Sequence, residues 1–218
     1  MTAARFCTLF IAVVISGVVL TSTSQAVPTN GDFSIPDLSG WIRVSGIVRE
    51  KEEDRGYAYF EEAFDIDTRM PVMSLLTQEF ILPAGALELS FEFRMNSNSN
   101  PGTEIFTASL FDPATNLPLI WYDTETYFYY LDSDGVQHTD ADVVKYPDDV
   151  NEVTLNVSSL APNQKVRLEF GFLGMDDFTI TTISLDNVKV SAIPAPGAMA
   201  LVGIGCGIVG LLRRAKKV

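Results

Sequence analysis

The sequence predicts an all-β protein, an antiparallel β-sandwich, from three observations. Leu87, Leu89, Phe91, Phe93 and Met95 alternate with Glu88, Ser90, Glu92 and Arg94, the period of a strand with one dry and one wet face. Val153-Thr154-Leu155-Asn156-Val157 and Val166-Arg167-Leu168-Glu169-Phe170 repeat that pattern. Turn-forming clusters separate such segments, and residues 27–192 show no 3.6-residue apolar period.

Taken in order, residues 1–26 come first: Arg5, an apolar run over 6–20, and the small-x-small ending Ser24-Gln25-Ala26. This is the pattern of a secretory signal peptide, so the mature chain is expected to begin near Val27. Less regular strands are expected over 41–48, 57–64, 74–82, 104–111, 119–130 and 179–191, which with the three clear ones makes about nine. Pro83-Ala84-Gly85, residues 96–102, Asp112-Pro113, Asp134-Gly135 and Ala161-Pro162-Asn163 supply the turns. No segment recurs at a fixed period, which excludes a propeller or solenoid. In the last strand Ile183 and Leu185 are odd-numbered whereas Val188 and Val190 are even-numbered. A one-residue β-bulge across Asp186-Asn187 would restore the buried face.

Charge and cysteine narrow the function classes. All 28 acidic residues lie within 27–192, against 10 of the 15 basic ones, giving that span a charge of −18. A body so acidic repels phosphate backbones, so nucleic acid is not an expected partner. Cys7 and Cys206 are the only cysteines and lie outside 27–192, which excludes a disulfide, a thiolate zinc site or a cysteine nucleophile in that domain. His138 is the single histidine, and neither a Gly-x-Ser-x-Gly elbow nor a His-Glu-x-x-His helix is present. With so many acids, a pair of carboxylates suited to glycoside hydrolysis cannot be singled out. Glu61-Glu62 and Glu52-Glu53-Asp54 read more simply as solvated charge.

Residues 193–218 form a third part. Pro194 and Pro196 break the preceding strand, residues 197–212 carry no charge, and Arg213, Arg214, Lys216 and Lys217 follow as a basic stop. The 16-residue apolar run is short for a permanent span. The order of Pro194-Ala195-Pro196, apolar segment and basic end resembles a PEP-CTERM sorting signal, with alanine where that family has glutamate. The resemblance implies export, an exosortase-type processing enzyme as partner, transient or lasting contact with the inner membrane through a C-terminal hydrophobic helix, and an association with exopolysaccharide or the envelope. An ordinary C-terminal membrane anchor is the alternative.

A second resemblance brackets residues 27–192. Asn30-Gly31-Asp32-Phe33 with Leu38-Ser39-Gly40-Trp41, and the closing Ile183-Ser184-Leu185-Asp186-Asn187-Val188-Lys189-Val190, are similar to the first and last strands of galactose-binding-like jelly rolls of the carbohydrate-binding-module type. The family's opening usually continues with glutamate or glycine, where this chain has Ser34. The resemblance implies a jelly-roll sandwich whose end strands meet, and a structural calcium there held by Asn30, Asp32 and Asp186. Calcium takes hard oxygen ligands of this kind. Asp132-Ser133-Asp134-Gly135 with Asp140 and Asp142 echoes part of an EF-hand loop but lacks its distal glutamate.

Aromatic density marks a carbohydrate site, because flat rings stack on pyranose faces. Trp121, Tyr127 and Tyr129 are its expected residues, with Tyr127 and Tyr129 on one face of a strand and Phe128 and Tyr130 on the other. The expected function is therefore an exported, non-catalytic surface or matrix protein. A carbohydrate-binding module with structural calcium and a glycoside hydrolase are the rival readings.

Overall fold

A computed structural model describes residues 28–34, 38–50, 56–65, 67, 70–96, 104–174 and 181–192. The signal peptide expected over 1–26 lies outside the described residues. So does the segment 193–218, with its expected hydrophobic helix, Pro194-Ala195-Pro196 and the basic stop Arg213, Arg214, Lys216 and Lys217.

Alternation becomes pairing in fifteen strands, and among the described residues there is no helix. They are β1 (Ile42–Ser45), β2 (Ile47–Glu50), β3 (Ala58–Glu61), β4 (Ala63–Phe64), β5 (Pro71–Val72), β6 (Ser74–Ile81), β7 (Ala86–Asn96) and β8 (Ile105–Phe111). Then follow β9 (Pro118–Ile120), β10 (Tyr129–Asp132), β11 (Gln137–Thr139), β12 (Asp142–Lys145), β13 (Asn151–Asn156), β14 (Lys165–Leu173) and β15 (Thr182–Ala192). One sheet runs β1-β6-β14-β8-β10-β11, with β9 on β8; the other runs β12-β13-β7-β15-β3-β2; β4 and β5 pair separately. Every pairing is antiparallel.

The dry faces of the two larger sheets form one core. Leu89, Phe91 and Phe93 of β7, Phe60 of β3 and Ile183 and Leu185 of β15 meet Leu76 of β6, Phe106 of β8 and Leu168, Phe170 and Phe172 of β14. Phe91 sits among five other rings, with centroids at 4.9 Å from Phe170, 6.2 Å from Phe93 and Tyr129, 6.4 Å from Phe128 and 6.5 Å from Phe106. Each such ring contributes about 1.5–3 kcal/mol by leaving water.

Three expectations change. The stretch 41–48 is two strands in different sheets, because Gly46 at φ 68° turns the chain between them. Its bare Cα packs on Ser74, whose hydroxyl accepts from Ile47 N at 2.9 Å and donates to Glu61 O at 3.0 Å. The stretch 119–130 is not continuous, since a loop over 121–128 separates β9 from β10. Finally, β5, β11 and β12 carry too little alternation to have been read as strands.

The bulge forms where the parity switch placed it. Pairing of β15 with β7 slips between Asp186 and Lys189, and Asn187 takes φ 53°. Val188 turns inward there and its N–H donates to Gly31 O at 2.8 Å. The opening segment 28–34 is thereby docked on the last strand. Trp41 Nε1 donates to Asn30 O at 3.2 Å, and Gln78 Nε2 bridges Thr29 O at 2.9 Å and Gly40 O at 2.8 Å.

Candidate functional site

The wet face of the six-stranded sheet carries a groove of about 840 Å³. Because Leu89, Phe91 and Phe93 point into the core, the strand's two-residue period turns Glu92, Arg94 and Asn96 of β7 outward. Ser184 and Asp186 of β15 stand opposite Arg94 and Glu92, and Tyr59 of β3 stands opposite Ser184. Tyr57 extends this row, and Tyr146, Pro147, Asp148 and Val150 from the β12–β13 turn wall the groove.

Hydrogen bonds fix the polar lining. Asn187 Nδ2 donates to Glu92 Oε2 at 2.9 Å, and Arg94 Nη2 meets Asp148 Oδ2 at 3.4 Å. Tyr146 donates its hydroxyl proton to Glu152 Oε2 at 2.8 Å, a bond that holds its phenol above the ordinary value. Lys189 Nζ lies 3.7 Å from Glu152 Oε1. The Tyr57 and Tyr59 rings are 6.3 Å apart and inclined at 56°. The arrangement presents phenol rings for C–H faces beside carboxylate, amide and guanidinium groups for hydroxyls.

The aromatic residues singled out from sequence lie elsewhere. Tyr129 is wholly buried, among Phe91, Phe93 and Phe106, and Gln137 Nε2 donates to its hydroxyl at 2.9 Å. It is a core residue out of a ligand's reach. The expected alternation fails because β10 starts only at Tyr129, so Phe128 before it is buried as well. Tyr127 is half-buried against Tyr130, with centroids 5.3 Å apart, and burial raises the pKa of both phenols. Trp121 is exposed in the loop before β10. Neither Trp121 nor Tyr127 lines the groove.

For the expected calcium ligands, the structure joins the two backbones at Gly31 and Val188 but engages the side chains locally. Asp32 Oδ1 accepts from Ser34 N at 3.3 Å and from its hydroxyl at 2.9 Å, and Asp186 Oδ1 accepts from Asn187 N at 2.7 Å. Asn30 is buried, and its carbonyl serves Trp41 and Phe33. These oxygens suit calcium in kind. Among the described residues no three His, Cys, Asp or Glu side chains converge as a metal cluster. Asp132 Oδ1 caps its own hairpin by accepting from Val136 N at 2.8 Å.

The groove tyrosines were missed, although Tyr59 alternates with buried Ala58 and Phe60. The even positions of 88–96 marked the wet face that forms its floor.

No protein-family model matches this chain, and no curated protein matches it. Among solved structures it is similar to a carbohydrate-binding module in complex with β-1,4-galactotriose, at 13% identity and a TM-score of 0.47, over 76% of this chain and 97% of that one. It is also similar to a carbohydrate-binding module specific for non-crystalline cellulose, at 14% and 0.46, over 79% and 96%. A third is the K1 cleaved adhesin domain of Lys-gingipain from Porphyromonas gingivalis W83, at 15% and 0.40, over 75% and 96%.

Proposed function

We propose that this is an exported, non-catalytic glycan-binding protein of the cell surface or extracellular matrix, with a polysaccharide chain seated in the groove of the six-stranded sheet. The observation that supports it is Tyr57, Tyr59 and Tyr146 set beside Glu92, Asn96, Ser184, Asp186 and Asn187 in one open groove. Aromatic rings supply contact area at little entropic loss, and the polar groups supply orientation. Export rests on the sequence of 1–26, and sorting by an exosortase-type enzyme rests on Pro194-Ala195-Pro196 with the basic end. Exopolysaccharide or envelope association follows from that sorting resemblance.

The test is calorimetric titration of the full chain with soluble polysaccharides, comparing wild type with Tyr59→Ala. A ten- to hundredfold weaker affinity in the variant, with an unchanged melting temperature, is expected for one stacking residue lost, about 1.4–2.8 kcal/mol. Equal affinity in the two would remove the groove from the reading. Release of reducing ends, lost in Glu92→Gln or Asp186→Asn, would make the protein a glycoside hydrolase instead. A structural calcium at Asn30, Asp32 and Asp186 belongs to the same proposal. Chelation is then expected to lower the melting temperature of wild type by more than that of Asp186→Asn. Mass spectrometry of the secreted protein, expected to span Val27 to about Pro196, tests the two ends.

A further inference from the structure

At one end of the sandwich a buried carboxylate lacks any partner for one of its oxygens. Glu104, immediately before β8, is 0% exposed. Its Oε1 accepts from Thr181 Oγ1 at 3.0 Å, while its Oε2 has no hydrogen-bond partner. Its backbone is clamped to the β10–β11 turn, with Ser133 N donating to Glu104 O at 3.0 Å and Glu104 N to Ser133 Oγ at 3.4 Å. The same Thr181 serves a second carboxylate, for its N–H donates to Glu62 Oε1 at 2.9 Å. Glu62 lies over Gly174, where any Cβ would collide with it. The pair bridges the two sheets, since Glu62 and Thr181 flank β3 and β15 while Glu104, Ser133 and Gly174 flank β8, β10 and β14.

Oε2 of Glu104 is a buried oxygen without a donor, close to a second carboxylate through their shared Thr181, an arrangement that a low-dielectric interior penalises. A hard cation would occupy Oε2 and offset the carboxylate charge. Among the described residues, the groups gathered around Oε2 are oxygens: the Glu62 carboxylate with the hydroxyls of Thr181 and Ser133. That set suits Ca²⁺, which accepts irregular oxygen coordination, rather than zinc.

We propose that Glu104 and Glu62 bind a divalent cation, Ca²⁺ by preference, which pins the two sheets together at this end. The site is separate from the one expected at Asp186, about 16 Å further along β15 at the usual rise per residue. In a domain without cysteine it takes the place of a disulfide staple.

The experiment is thermal unfolding of the full chain after chelation, with CaCl₂ added back to wild type, Glu104→Gln, Glu62→Gln and Asp186→Asn. A hundredfold excess of Ca²⁺ over its dissociation constant is expected to raise the wild-type melting temperature by about 5–10 °C. Asp186→Asn is expected to keep the part of the rise that comes from this site, Glu104→Gln to lose that part, and Glu62→Gln to weaken Ca²⁺ binding there at least tenfold. If Glu104→Gln does not fold, the Glu62 and Asp186 variants decide. No response in wild type overturns the proposal. So does a response as large as wild type in both glutamate variants, or one lost wholly in Asp186→Asn.

Discussion

Replacing Gly31 with alanine isolates the contact between the first segment and the last strand. A Cβ at Gly31 would collide with the Val188 carbonyl oxygen, so the two backbones must separate. Separation breaks the bond from Val188 N to Gly31 O at 2.8 Å, which contributes about 1 kcal/mol. It also lifts Phe33, 1% exposed and 5.5 Å from the Trp41 ring, out of the core, a loss of about 1.5–3 kcal/mol. The combined destabilisation is about 2.5–4 kcal/mol. For a domain of this size that lowers the melting temperature by about 5–16 °C. The assay is circular dichroism at the β-sheet minimum during a thermal ramp. Gly135→Ala is the control: its φ of 77° disfavours a side chain, but nothing lies within 4 Å of the new Cβ, so only about 1 kcal/mol of backbone strain is expected. A Gly31→Ala protein melting within 2 °C of wild type would refute the reasoning.

Phe91→Ala, which empties the centre of the ring cluster, is expected to lose about 3–5 kcal/mol in urea unfolding, close to the whole stability of a marginal domain. Burial raises the pKa of Glu169, with Arg167 opposing it only in part, so the folded state favours the neutral acid. Stability from this group is therefore full at low pH and declines as pH rises through its ordinary value of 4.5 to the raised one; Glu169→Gln is expected to flatten that decline in melting temperatures measured from pH 4 to 7. Burial likewise pushes the Tyr129 phenol far above its ordinary value. The stabilisation it gives is full below pH 10 and lost above it as the unfolded chain ionises, and ultraviolet titration should show one tyrosinate appearing only with unfolding.

Local alternation made β7, β13 and β14 legible, because each has one dry and one wet face over five or more residues. The bulge was legible for the same reason, as a parity switch within one strand. What escaped depends on residues far apart in the chain. Tyr59, Ser184 and Arg94 share a row of the groove only through the pairing of β3, β15 and β7. Glu104 reads as one acid among 28, and its burial comes from the meeting of both sheets at its end of β8. Tyr129 misled because an aromatic run looks the same whether the chain bends before it or not.

The strand order fixes when the six-stranded sheet can close. β15, the last strand among the described residues, lies between β7 and β3. A growing chain that has not yet released residue 192 therefore leaves both neighbours without their partner, and the inner row of aromatic side chains open to water. Such a topology delays closure of this sheet until residue 192 is free to pair, and makes its folding depend on contacts between segments far apart in the chain.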